Sequence, residues 1–137
     1  MALTREEYLE IILDHHENPH NRGPLPEAQV QGSGGNPGCG DLVTVYAHLG
    51  PDGRVTKAAF EGEGCTISQA AASMLTEVIE GKTLEDIQAM DYEAMVDVMG
   101  REIVLPRVRC ATLALSTLKS AVRDYQAHHP QDPASRI

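Results

Sequence analysis

The tetrapeptide Gly50-Pro51-Asp52-Gly53 constrains the fold more than any other stretch of the chain. It is a turn signal between two strand-like runs. Residues 42–49 alternate and are rich in β-branched and aromatic side chains, and residues 54–60 return in the same manner. So short a link leaves no room for a crossover, so the two runs form an antiparallel hairpin. Upstream, residues 28–31 read as a short first strand. The run from Gly32 to Asp41 holds five glycines and a proline and reads as a loop.

Helical periodicity occupies the rest. Residues 4–17 open with Thr4 and Glu7 as a capping box and carry Tyr8, Ile11, Ile12 and His15 on one face. Residues 66–80 place Ile67, Ala71, Met74 and Val78 on one face, and Gly81 stops them. Thr83 with Asp86, and then the stretch from Asp91 to Gly100, predict two short helices, with residues 101–106 as a connector. A last helix spans residues 107–127 with Val108, Ala111, Leu115, Leu118, Val122 and Tyr125 facing inward. Strands first and helices after predict an α+β fold, a small antiparallel sheet with helices packed mainly on one face. Residues 1–127 are expected to form one domain, and residues 128–137, with two prolines, a flexible tail.

Composition narrows the function. The 137 residues include 20 acids against 11 bases, a formal charge of −9, which argues against a nucleic-acid surface. Trp is absent and Phe occurs once, so a base-stacking platform is not expected. No hydrophobic run exceeds three residues, so neither a membrane span nor a secretory leader is expected. Three cysteines, an odd number, without such a leader point to a reducing, cytoplasmic setting.

The cysteines sit at element boundaries. Cys39 lies in the glycine-rich run before a strand, Cys65 opens the Thr66 helix, and Cys110 falls in the first turn of the last helix. A helix N-terminus has unpaired N–H groups and a positive potential, so Cys65 and Cys110 are expected to be ready nucleophiles and metal ligands. Arg107 and Arg109 push the same way. Asp41 offers an oxygen from the same loop as Cys39, and three thiolates with one carboxylate suit zinc or an iron-sulfur core. No C-x-x-C pair is present, which excludes zinc-finger and thioredoxin-like motifs. By position alone, unrelated buried thiols fit as well.

Three segments carry a resemblance. Asn36-Pro37-Gly38-Cys39-Gly40-Asp41, Gly62-Glu63-Gly64-Cys65-Thr66-Ile67-Ser68 and Arg109-Cys110-Ala111-Thr112-Leu113 resemble the cysteine motifs of the IscU/SufU (NifU N-terminal-like) iron-sulfur cluster assembly scaffolds. The opening Tyr8 to Gly23, with Asp14-His15-His16 and Asn18-Pro19-His20-Asn21-Arg22-Gly23, is similar to the first helix and turn of that family. The resemblance implies a three-stranded antiparallel sheet with the cysteines clustered at one end. It implies a protein that accepts sulfur from a cysteine desulfurase, assembles a transient [2Fe-2S] cluster and passes it to apo-acceptor proteins, with zinc as the alternative or resting metal. Cys39, Asp41, Cys65 and Cys110 carry over as ligands, and each cysteine as a persulfide acceptor.

The chain mixes two patterns of that family. Arg109 stands where IscU members carry a histidine, as in SufU members, and arginine does not ligate metal. The short segment between Cys65 and Cys110 is of the IscU kind. Leu105-Pro106-Arg107-Val108-Arg109 echoes the chaperone-docking motif only in part, which argues against a dedicated Hsp70 partner. The runner-up function is a zinc-dependent sulfurtransferase of the SufU kind, and a third is a zinc-stabilised interaction domain. Arg109 reads either as an auxiliary group, steering a persulfide or holding thiolates, or as a solvated arginine at a helix start. His15 and His16 read as packing or surface groups rather than site residues, and Met74, Met90, Met95 and Met99 as core.

Overall fold

The computed structural model describes residues 3–36 and 40–129. The last residues of the expected tail, 130–137, lie outside the described residues, and the helix before them runs on to His128. In chain order the elements are α1 (Arg5–Glu17), β1 (Val30–Asn36), β2 (Asp41–Leu49), β3 (Val55–Glu63), α2 (Thr66–Val78), α3 (Leu84–Ala89), α4 (Tyr92–Met99), α5 (Arg101–Val104) and α6 (Val108–His128), with a 3₁₀ turn at Leu105–Arg107. The α+β architecture predicted from the element order is present.

The sheet is three-stranded and antiparallel in the order β1-β2-β3. Its hairpin turn closes through Gly50 N–H to the Arg54 carbonyl at 2.8 Å. Along β2, Asp41, Val43, Val45 and Ala47 are buried while Leu42 is 59% exposed, the period-two alternation of a sheet covered on one face. The outer edge of β3 is partly closed by the segment after α1, where Gly23 N–H donates to the Phe60 carbonyl and Phe60 N–H donates to the Asn21 carbonyl.

The first strand corrects the sequence reading. Gly32 to Asn36, expected as loop, pair with β2 from Gly32↔Val45 to Asn36↔Asp41. The glycines serve packing rather than turning. A Cβ on Gly32 would stand 2.8 Å from the Ala121 Cβ, and one on Gly34 would stand 2.3 Å from Thr117 Oγ1. Only bare backbone lets α6 settle this close on β1.

A second correction concerns α2. It was expected to present one apolar face, yet every residue from Ser68 to Thr76 is buried. It is the central helix, packed by α1, α6, β3 and α4. A helix surrounded on all sides has no solvated face, and the small residues Ala70, Ala71, Ala72 and Ser73 let its neighbours approach. Val43, Val45, Phe60, Leu75, Leu115 and Leu118 join sheet and helices in one core. Each fully buried aliphatic or aromatic side chain there contributes roughly 1.5–3 kcal/mol. Met74, Met95 and Met99 are buried in that core and Met90 packs against it, as expected. The connector at residues 101–106 is instead helical through α5 and into the 3₁₀ turn. The capping box expected from sequence at Thr4 with Glu7 forms, and Thr83 with Asp86, read as a helix start, closes a second one.

Candidate metal centre

Strand register places the site. Asn36 pairs with Asp41, and Leu42 with Glu63, so the end of β1, the start of β2 and the end of β3 share one edge of the sheet. The chain leaves β3 through Gly64 and enters α2 with Cys65 as N-cap. The first turn of α6 is drawn to the same edge by the Asn36 side-chain amide, whose Nδ2 donates to the Arg109 carbonyl at 3.2 Å.

The Asp41 carboxylate is the hub, with only 1% of the residue exposed. Its Oδ1 accepts from the Cys65 backbone N–H at 3.0 Å and faces the Ser68 hydroxyl at 3.2 Å. Its Oδ2 accepts from the Cys110 thiol at 3.1 Å and the Asn36 amide at 3.4 Å. Cys65 Sγ in turn accepts from the Ser68 N–H at 3.4 Å, the usual bond of an N-cap side chain made here by sulfur. One ligand atom each from Asp41, Cys65 and Cys110 fall within 4.8 Å of one another. Cys39 lies outside the described residues.

The electrostatics separate the groups. Burial raises the Asp41 carboxyl, but bonds from the Cys65 N–H, Cys110, Asn36 and Ser68 outweigh it and hold it below the ordinary carboxylate value. Burial also works against ionising Cys65, but the Ser68 N–H and hydroxyl and the Cys110 thiol prevail, so Cys65 lies below the ordinary thiol value. Cys110 goes the other way. Burial, the Asp41 oxygen that takes its proton and the neighbouring Cys65 push it up to about 12. Both Cys65 and Cys110 were expected, from their helix ends, to be readier nucleophiles than a buried thiol. The structure splits them, because Cys110 is buried and its thiol meets the Asp41 carboxylate, while Cys65 accepts the Ser68 N–H.

Sequence reading gave no role to Asn36, Gly64 and Ser68. Ser68 stands three residues after a cap position, a spacing that signals contact with the cap. A Cβ on Gly64 would fall 2.3 Å from Asp41 Oδ1 and 2.6 Å from Ser68 Oγ, so the glycine is what admits the carboxylate. Arg109 is exposed and meets the site through its carbonyl. An open hollow of about 490 Å³ beside Cys110 is lined by Leu105, Pro106, Arg107, Val108 and Arg109. His15 is not drawn to this site. It is buried against Ser73, in the far half of α2, and His16 is exposed.

Comparison with known proteins shows the family and the fold. The family described as NifU-like N terminal domain matches residues 7–132. An iron-sulfur cluster assembly scaffold protein IscU 1 from Archaeoglobus fulgidus is 35% identical over 118 residues, 86% of this chain and 76% of that one. A zinc-dependent sulfurtransferase SufU from Bacillus subtilis is 36% identical over 132 residues, 84% of this chain and 88% of that one. In fold, the crystal structure of an N-terminal nitrogen-fixing NifU-like protein from Brucella abortus superposes with a TM-score of 0.73 at 22% identity, covering 86% of this chain and 93% of that one.

Proposed function

This chain belongs to the NifU-like N-terminal domain family, and from that membership we propose that it is an iron-sulfur cluster assembly scaffold. The observation that carries the reading is the convergence of the Asp41 carboxylate with Cys65 and Cys110 Sγ, all within 4.8 Å, from three separate elements. Cys39, two residues before Asp41 in sequence, supplies the third thiolate. Cys39, Asp41, Cys65 and Cys110 then hold a [2Fe-2S] cluster as cargo, and zinc occupies the same ligands in its absence.

Sulfur arrives as the persulfide of a cysteine desulfurase. A thiolate of this chain attacks the outer sulfur, the sulfur–sulfur bond breaks, and the desulfurase cysteine leaves as thiolate. The transferred sulfur is reduced to sulfide by two electrons from an external donor as ferrous iron is taken up. The cluster passes on to apo-acceptor proteins. Asp41 is the hard oxygen ligand among soft sulfurs, and it holds iron-sulfide less firmly than a fourth thiolate would.

Likeness to the SufU relative, together with Arg109 where the IscU pattern has histidine, favours a second reading as a zinc-dependent sulfurtransferase. In that role a thiolate released from zinc accepts the sulfur and hands it on. Anaerobic incubation with a cysteine desulfurase, cysteine, ferrous iron and dithiothreitol separates the two. The scaffold develops visible charge-transfer absorption with equal iron and sulfide, and activates an apo-ferredoxin. Persulfide on this chain in a parallel incubation without dithiothreitol, with no bound iron and sulfide in the full mixture, would establish the sulfurtransferase instead.

A further inference from the structure

The far half of α2 carries a second cluster of ligating groups that the cysteine site does not use. Glu77 lies twelve residues after Cys65, about 18 Å along the helix axis at 1.5 Å per residue. Its Oε1 is 2.6 Å from His20 Nδ1 and 3.6 Å from His15 Nε2. The two imidazole rings are tilted by 47° with centroids 4.5 Å apart, so both nitrogens converge on one carboxylate oxygen. One ligand atom from each of the three residues falls within 4.8 Å of the others.

The cluster is held from behind. Ser73 is fully buried, and its Oγ lies 2.7 Å from His15 Nδ1 while accepting the His20 backbone N–H at 2.7 Å. One hydroxyl thus fixes the ring of the first histidine and the backbone of the second. With His15 Nδ1 engaged, its Nε2 is left facing Glu77. A ring nitrogen turned to a polar partner while the other faces a shared ligand point is the outer-shell arrangement of metal-bound histidine. The Asn21 amide, donating to Thr76 Oγ1 at 3.0 Å, holds the loop in place beside it.

We propose that His15, His20 and Glu77 form a second divalent metal site, of the zinc class, which clips the loop after α1 to the C-terminal half of α2. Two imidazoles and one carboxylate are a known zinc donor set that leaves a fourth position for water. Tetrahedral bonds of about 2.0–2.2 Å put neighbouring ligand atoms roughly 3.3–3.5 Å apart. The present 2.6 and 3.6 Å spacings bracket that value. The adjustment falls on His20 and Glu77, whose side chains are 44% and 49% exposed, while His15 stays fixed at 11%. The metal displaces protons from the histidine–carboxylate hydrogen bonds and needs no redox step.

Titration of the chelator-stripped full chain with zinc and with cobalt(II) tests this. Two equivalents are expected. One gives intense thiolate-to-cobalt charge transfer, and the other only weak d–d bands. His20→Asn and Glu77→Gln should each weaken the second equivalent at least about tenfold and leave the thiolate band untouched. In the unsubstituted chain, zinc should also shift the ring protons of His15 and His20 in NMR spectra. A single equivalent, a second equivalent that survives both substitutions, or unmoved His15 and His20 resonances would overturn the proposal and leave a hydrogen-bonded cluster only. The charge-transfer band reports the cysteine site separately, so failure of either site is read independently.

Discussion

Asp41 has one carboxylate and more donors than a surface acid meets: a backbone N–H, an amide, a hydroxyl and a thiol. In the metal-free chain it is therefore a structural acceptor as well as a prospective ligand. Asp41→Ala removes the acceptor and leaves the Cys65 N–H and Cys110 thiol without partners in a buried place. A loss of about 1–3 kcal/mol is expected in urea unfolding of the metal-free protein. The same substitution should slow release of the cluster to an apo-ferredoxin, and unchanged transfer kinetics would remove the lability role. The two cysteines also differ in reactivity, since only thiolate is alkylated. At neutral pH iodoacetamide should label Cys65 well before Cys110, as read by mass spectrometry of the peptides. Equal labelling would contradict the proton that Asp41 holds on Cys110.

At the scale of elements, the site depends on how closely α6 lies on β1. Gly34→Val places a branched side chain where even a Cβ would meet Thr117 Oγ1 at 2.3 Å. The helix must lift, and overpacking of this kind costs typically 1–3 kcal/mol. Because Cys110 rides on α6 and Asn36 ends β1, metal affinity should fall together with the thermal midpoint. Adding Thr117→Ala should recover part of both. Much of this level was legible in the chain. The hairpin follows from a four-residue turn, the first capping box from Thr4 with Glu7, the start of α3 from Thr83 with Asp86, and the start of α2 from Cys65. What was not legible needed the third dimension. Gly32 and Gly34 look like loop residues because local statistics cannot tell a glycine that turns the chain from one that admits a helix. The convergence of Asp41, Cys65 and Cys110 was implied by motif likeness. No spacing rule dictates it. The split between Cys65 and Cys110 was invisible, since it rests on which thiol meets Asp41.

For the molecule as a whole, the free protein stores a proton at a place where the proposed metal centre needs a thiolate. Cys110 is pushed up to about 12 when folded, against an ordinary thiol value near 8.5 when unfolded. Below about pH 8.5 both states hold the proton and no pH dependence arises from this group. Above it the unfolded chain ionises while the folded chain does not, so stability falls as pH rises toward the folded value. By pH 10 the metal-free protein should have lost about 2 kcal/mol from this thiol, at about 1.36 kcal/mol per pH unit. Cys110→Ala should flatten that alkaline slope, though from a lower starting stability. Metal reverses the sign of the argument, because ligation requires thiolate and expels the proton. Zinc uptake near neutral pH should release about one proton from Cys110 and tighten with rising pH, as calorimetry in buffers of different ionisation enthalpy would register. Bound metal also ties β2, α2 and α6 together, so the loaded protein should melt higher and lose that gain on chelation. A loaded protein whose stability fell above pH 8.5 as the free one's does would show that Cys110 is not a ligand.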